Sequence, residues 1–557
     1  MRIDTLVSLV VIFLLLFTPA MAQASPQGGD TGGADAGYVT PDSYVERARE
    51  SGNYLELSLQ QAVRMALENN LQIEIEGYIQ ELNEEYIYST KGYYDPIFNF
   101  AVGWNSSETP TTSVLDAGES ISTNIRKSWS YETSVNQNIR GGGNVGLQFN
   151  TNSNATNSSW SYINPSYSSN LVLSLNQPLW RGFRHTTPDR QVKLYNLDTK
   201  INESEFKRTV ADVINQVQSQ YWELVYAIQN HETRRQSLQL AIVQLNNNRK
   251  KVDIGVLAPI EITSSRAEAA TRSQELISSE VSITNAQNNL KGYLSPDTND
   301  PLWGKVLIPT EKPMVRDVNM TLDEAVEIAF EKRPELEQIN YQLAQNEVDR
   351  EYYRNQGKPD VSLNASLMSR GTSGRVWDTS SGGGGLPGVG LTPLTEHPFY
   401  GEYGEAWSQV YAFDYLTYNF GISVEIPIFN RENKAQLAQI AINDRRYQTQ
   451  IRSTQQSVMV EVRTAFQNII TQRESMDAAR VARELSEEQL DGETKRFEAG
   501  LSTNFEVLQY QRDLATAQVN ELRAMVDYQL ALASLQAATF TIVDDNDVVI
   551  AQQNIDN

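Results

Sequence analysis

The chain contains no cysteine, which excludes disulfides, thiolate metal sites, a cysteine nucleophile and a lipid-modified N-terminal cysteine. Histidine is almost as scarce: His185, His231 and His397 are the only three, far apart in sequence. That leaves little basis for histidine catalysis or a zinc site. No catalytic residue set, metal site or cofactor fingerprint is expected. Positive charge is short as well, with 46 Lys and Arg against 69 Asp and Glu, a formal net charge of −23. A nucleic-acid partner needs clustered Lys and Arg and is excluded on that balance. Mean hydropathy is −0.45, and long apolar runs are missing too. Beyond the N-terminus no stretch reaches the ~20 apolar residues that a spanning helix needs.

What is present starts with an export signal. Leu6 to Phe17 is a twelve-residue apolar run behind Arg2, followed by Pro19 and Ala20-Met21-Ala22. Residues 1–24 are therefore expected to be a signal peptide, cleaved after Ala22 or Ala24. Residues 25–53 carry Gly, Asp and Pro with little periodicity and are expected to be a flexible N-terminal segment. An exported acidic chain without a helical span is periplasmic, secreted or an outer-membrane β-barrel.

The rest is written twice. Leu57-Ser-Leu-Gln-Gln-Ala-Val63 matches Met320-Thr-Leu-Asp-Glu-Ala-Val326. Leu171-Val-Leu-Ser-Leu-Asn-Gln-Pro178 matches Phe420-Gly-Ile-Ser-Val-Glu-Ile-Pro427, and Gly255-Val256 with Glu261-Ile262 matches Gly500-Leu501 with Glu506-Val507. The offsets are 263, 249 and 245 residues, in one order. Three collinear pairings define an internal duplication.

Within each copy the hydrophobic period changes twice. Residues 54–95 and 320–357 read as opening helices, with Ser58 as an N-cap and Gln61 three residues on. Residues 96–180 and 358–429 read as strands and loops. Phe98, Phe100, Val102 and Trp104 alternate with small or polar residues, as do Val361, Leu363, Ala365 and Leu367, and Ile422, Val424 and Ile426. One apolar and one polar face, with Trp104, Trp180, Tyr418 and Phe429 towards the ends, suits a barrel strand in lipid. A half-buried strand of a soluble sandwich alternates identically; the export signal and the loops at 105–128, 152–170 and 369–417 favour the barrel. Residues 128–150 look like one extra hairpin, giving six strands per chain if it joins the sheet and four if it does not. The glycine run Gly382–Gly385 lacks the strand–loop–helix frame of a phosphate site and reads as solvated loop.

Residues 186–295 and 430–541 read as long helical hairpins. From Val210 a 4-3 spacing runs through Ile214, Val217, Tyr221, Leu224 and Ile228 to Leu238, Ile242, Leu245 and Val252, with His231, Arg235 and Arg249 on the same seam. A sustained 3.5-residue repeat marks a coiled-coil seam, and His231 on it reads as a partly solvated interface residue. A helix of ~65 residues is ~100 Å long and must project from any compact body. Residues 296–319, proline-rich, are the inter-repeat linker, and 542–557 an acidic C-terminal tail. Four to six strands cannot close a barrel, which needs ~8 or more, so strands in a membrane demand oligomerisation.

These residues resemble the TolC-like outer membrane efflux protein family. The likeness runs from about Leu55 to Thr541 and is carried by the paired openings, the strand-to-helix junctions at Leu173–Gly182 and Val424–Arg431, and the hairpin tips at Asp253–Ile262 and Glu498–Val507. It implies a mixed α/β membrane protein in which three chains form a 12-stranded outer-membrane barrel continuous with a long periplasmic α-barrel. It further implies a passive exit duct of a tripartite efflux or type I secretion system. The implied partners are outer-membrane lipid, a periplasmic adaptor (membrane fusion) protein and an inner-membrane transporter. Gly255, Val256, Leu257, Gly500, Leu501 and Ser502 match the adaptor-docking tips. Glu506, Gln509 and Glu261 match gate positions, where the family commonly carries two acidic rings. Here Gln509 replaces one carboxylate by an amide. Glu506 and Glu261 also suit the N-terminal dipole of the returning helices. A trimeric surface scaffold or adhesin is the alternative, but it would need no duplication. Paired hydrolytic carboxylates are a third reading, weakened because such pairs occur anywhere in so acidic a chain.

Overall fold

A computed structural model describes residues 40–111, 123–158, 161–314, 318, 320–378 and 392–546. The expected signal peptide and the glycine run at 382–385 lie outside these residues. The chain opens with α1 (Tyr44–Glu50), β1 (Tyr54–Leu57), α2 (Leu59–Asn69) and α3 (Leu71–Lys91). Four strands follow, β2 (Ile97–Pro110), β3 (Thr123–Asn138), β4 (Asn144–Thr156) and β5 (Ile163–Pro178), then the long helices α4 (Thr187–Asp253) and α5 (Ile260–Leu294). After β6 (Val306–Pro309) the second copy runs α6 (Leu322–Lys332), α7 (Pro334–Gln356), β7 (Asp360–Val376), α8 (Tyr403–Ala412), β8 (Tyr415–Glu425), α9 (Arg431–Glu498), α10 (Asn504–Ala538) and α11 (Ile542–Asp545).

Both opening segments begin with a capping box, Ser58 with Gln61 and Thr321 with Glu324. Neither is one helix. The first breaks at Asn70, whose side chain caps the Gln72 amide. The second breaks at Arg333, which is extended (ψ 120°) because Pro334 follows it. The 25–53 segment is not flexible throughout: Ser43 and Glu46 form a capping box for α1, and Tyr44 and Val45 pack against the core. Nor is the linker loose, since β6 pairs in parallel with β1 from Tyr54↔Val306 to Leu57↔Pro309. At the far end Ile542 and Val543 are buried in the same core, so the acidic tail begins beyond them.

Six strands form one sheet in the order β2-β3-β4-β5-β7-β8, antiparallel at every junction. The extra hairpin thus joins the sheet. With six strands per chain a trimer would supply eighteen, not the twelve that the family resemblance implies. The loops are also shorter than expected, because β2, β3, β4, β5 and β7 extend through their Ser/Asn-rich parts. Ladder hydrogen bonds do not require apolar side chains, and above a bilayer both faces meet water, so the alternation fades while the strand continues.

The long helices span 67 and 68 residues, about 100 Å each at 1.5 Å per residue. Around Val210–Ile228, α4 is buried on several sides by α2, α5, β6, α10 and α11. Val458, Val462, Ile469, Tyr528 and Leu535 form the matching core of the second hairpin beneath Ala325 and Ala329. His231 is fully buried, not partly solvated: Ser279 Oγ lies 2.8 Å from its Nδ1 and Tyr44 meets it edge-on. Among the described residues no helix is long and apolar enough to cross a membrane, and no group of His, Asp and Glu could hold a metal ion.

Candidate functional site: a two-faced wall and a pair of hairpin tips

Strand register sorts the sheet's side chains into two faces. Phe98 pairs with Val135, Phe100 with Thr133, Val102 with Tyr131 and Trp104 with Trp129. The same face continues through Leu147 and Leu173 to Leu367 and Tyr418. Phe98, Phe100, Phe420 and Ile422 on it are exposed. The opposite face is amide and hydroxyl. Asn170 donates to Asn150 (2.9 Å), Asn176 to Asn364 (2.7 Å) and Asn364 to Ser423 (3.2 Å). Gln148 donates to Glu132 at 2.7 Å. Arg126, Glu132, Asp360, Arg370 and Glu425 share this polar face, and a sheet with one apolar and one hydrogen-bonded, charged face is the pattern of a wall between lipid and water. Among the described residues β2 and β8 are each paired on one side only, so the wall ends in two open edges.

At the other extreme, both hairpins turn in the same way. Gly255 (φ 79°) and Gly500 (φ 74°) take the left-handed conformation that glycine alone adopts without penalty. The Gly255 amide donates to Val252 and the Val256 amide to Lys251; the Gly500 amide donates to Phe497 and the Leu501 amide to Arg496. Both are Schellman closures. Val256 is 67% and Leu501 72% exposed, and Leu257 and Ser502 sit in the same turns, so each tip presents apolar surface on a rigid bend.

The two tips lie together in one protomer. Lys251 Nζ stands 4.0 Å from the centre of the Phe497 ring. Asn504, buried at the start of α10, accepts from Gln244 (2.8 Å) and Asn248 (2.7 Å) and donates to Glu261 (2.9 Å). Asn248 also donates to Ser265 at 2.7 Å. Glu261 therefore faces the second hairpin. Glu506 closes a capping box: its carboxylate accepts from the Thr503 amide (3.1 Å) and the Ser502 hydroxyl (2.7 Å). These bonds, Ser502 first, hold its pKa below the ordinary glutamate value. Gln509 donates to Asp513 and accepts from Arg512, which also reaches Glu268 on α5 at 3.0 Å. The Asn248–Ser265–Asn504 knot and the Arg512–Glu268 pair escaped the sequence reading. The capping-box spacing Thr503-x-x-Glu506 is the one signal in the sequence that could have pointed to part of it.

Such an architecture, a two-faced β-wall joined to ~100 Å hairpins, defines an outer-membrane channel-tunnel fold. Solved structures share it. A membrane protein from Pseudomonas aeruginosa superposes with TM-score 0.59 at 16% identity, over 92% of this chain and 99% of that one. The Campylobacter jejuni CmeC outer membrane channel gives TM-score 0.59 at 14% identity, over 88% and 90%. The open-state Neisseria gonorrhoeae MtrE outer membrane channel gives 0.55 at 17%, over 86% and 88%. No curated protein matches the sequence. Residues 325–539 match the family described as outer membrane efflux protein, so the second repeat carries that family's signature and the likeness read from the motifs is borne out. The chain is accordingly an outer-membrane protein with an efflux-channel role, and not an enzyme.

Proposed function

We propose that three copies of the chain close into one tube and act as the passive exit duct of a tripartite efflux or type I secretion system. The observation that carries this is the six-stranded sheet with two open edges, β2 and β8, continuous with two projecting hairpins. Closure pairs each β2 with a neighbour's β8 and leaves no edge in lipid, where an unpaired backbone is untenable. Eighteen strands ~4.8 Å apart and tilted ~40° make a ring of ~110 Å circumference, and twelve helices ~10 Å apart make ~120 Å. The two halves of such a tube agree in girth.

In this reading the exposed tips at Gly255–Leu257 and Gly500–Ser502 dock a periplasmic adaptor, and an inner-membrane transporter supplies the energy. Glu506, with Gln509 and Glu261 beside it, lines a narrow periplasmic throat, and three copies of Glu506 there favour cations. CmeC and MtrE, which share the fold, are outer membrane channels, in keeping with this reading. Single-channel recording of the mature chain in a planar bilayer under a salt gradient tests it. A small, steady, cation-preferring conductance is the expected result. A folded trimer that stays silent both as purified and with its tip network cut by Asn504→Ala would overturn the duct.

A further inference from the structure

The sheet register places α8 on the apolar face of the wall. Ser369, Gly371 and Ser373 share that face of β7 with Val361, Leu363, Ala365 and Leu367, and pair with Leu171, Ser169 and Tyr167 of β5. The helix lies on them. Ser369 Oγ donates to the Val410 carbonyl (2.8 Å) and Ser373 Oγ to the Glu402 carbonyl (2.7 Å). A Cβ on Gly371 would stand 1.9 Å from the Ala406 oxygen, so the seat exists because glycine occupies it. Where β8 stops at Tyr415, opposite Arg370, Gln409 Oε1 accepts from the Thr372 amide of β7 at 3.0 Å. Aromatic rings fasten the other flank: Tyr403 on Tyr167 (4.4 Å), and Trp407 and Tyr411 on Phe149 (6.0 and 6.3 Å).

We propose that α8 lies outside the barrel, in the headgroup layer of the outer leaflet, as a strap that finishes the upper border of the lipid-facing band. This rests on the reading of the sheet as a membrane wall. Its composition fits that layer and no deeper one. At ~100° per residue, Ala406 and Val410 face the sheet while Gly404 and Ser408 face away. An outward surface of glycine and serine, flanked by Glu405 on one side and by the half-exposed rings of Trp407 and Tyr411 against Phe149 on the other, suits the interface, where amphipathic rings and polar groups both find partners. On β7 the last aliphatic residue below the helix is Leu367, and Ser369 is the first beneath it. The band therefore ends where the helix begins. Occupancy of the lumen is excluded by register, because Arg370 and Thr372 alternate onto the opposite face.

The absence of cysteine makes single-cysteine labelling clean. Ser408→Cys on α8, Phe420→Cys in the band and Thr417→Cys on the lumen face of β8 would each carry an environment-sensitive fluorophore in phosphatidylcholine proteoliposomes. Nitroxide lipids labelled at the headgroup or deep in the acyl chain, and aqueous iodide, are the quenchers. The expected result is at least twofold stronger quenching of the Ser408→Cys label by headgroup than by deep nitroxide. The Phe420→Cys label should favour the deep one, and the Thr417→Cys label should respond to iodide alone. Gly404→Cys, also outward on α8, should repeat the Ser408→Cys pattern. Labels on α8 that answer only to iodide, while the Phe420→Cys label remains lipid-quenched, would overturn the strap and leave the barrel standing. A Phe420→Cys label blind to both nitroxides would overturn the barrel, and the strap with it.

Discussion

Asn248 on the outgoing helix of the first hairpin donates a 2.7 Å hydrogen bond to Asn504, the first residue of the returning helix of the second, 256 positions away. Both are buried, and Gln244, Glu261 and Ser265 complete the group. One amide thereby ties the two hairpins of a protomer together at their tips. Asn504→Ala leaves the Asn248 and Gln244 amides without this acceptor, at a cost of about 1–3 kcal/mol. Reduced thermal stability together with larger single-channel conductance is the expected result, read by melting and by planar-bilayer recording on the same preparation.

Glu506 combines a cap with a charge, and two substitutions separate them. Glutamine retains the oxygen that accepts from Thr503 but not the negative charge. Glu506→Gln should therefore weaken cation preference, seen as a reversal potential closer to zero under a salt gradient, while the melting temperature stays close to that of the parent chain. Glu506→Ala should lower both. Unchanged reversal potentials in both variants would remove Glu506 from the gate.

Gly500 turns the second tip at φ 74° with nothing within 4 Å of a built Cβ. The obstacle to a side chain is therefore conformational, about 1–2 kcal/mol for a left-handed residue and more for a β-branched one. Gly500→Val should distort the tip, abolish adaptor pull-down and leave the trimer assembled on size-exclusion chromatography. Gly500→Asn, which tolerates that conformation, should retain binding.

His231 makes stability depend on pH. Burial, the largest cause, holds its pKa below 6.5; Glu280 opposes this and Arg47 adds to it. Its Nε2 has no hydrogen-bond partner, so a proton there would be buried without an acceptor. The unfolded chain then takes up the proton first as pH falls, and stability drops as pH passes down through 6.5 but not above it. Melting temperatures from pH 8 to 5 should show that decline in the parent chain and a flatter profile in His231→Gln.

The broad architecture was legible because its signals are periodic. Val210, Ile214, Val217 and Tyr221 repeat at the spacing of a helix seam, Phe98 to Trp104 at that of a strand, and both recur in the second copy. The sheet's full width was harder to read. Ser166, Ser168 and Ser169 on β5 lie in a strand with no alternation, because α8 covers one of its faces and hydrogen bonds, not hydrophobicity, hold it. The α8 segment itself is ten residues long, contains Gly404 and Ser408, and follows a glycine-rich stretch that reads as loop.

The amino-acid order alone determined the duplication, the length of the hairpins, the two-glycine tips and the two-faced strands, since each is a local matter of period, cap or backbone freedom. Tertiary structure decided three further things: that the extra hairpin joins the sheet, that Asn504 meets Asn248, and that α8 rests on Gly371. These depend on which distant segments come within hydrogen-bond or van der Waals reach. Such contacts are set by the packing of whole elements and leave no periodic trace in either partner.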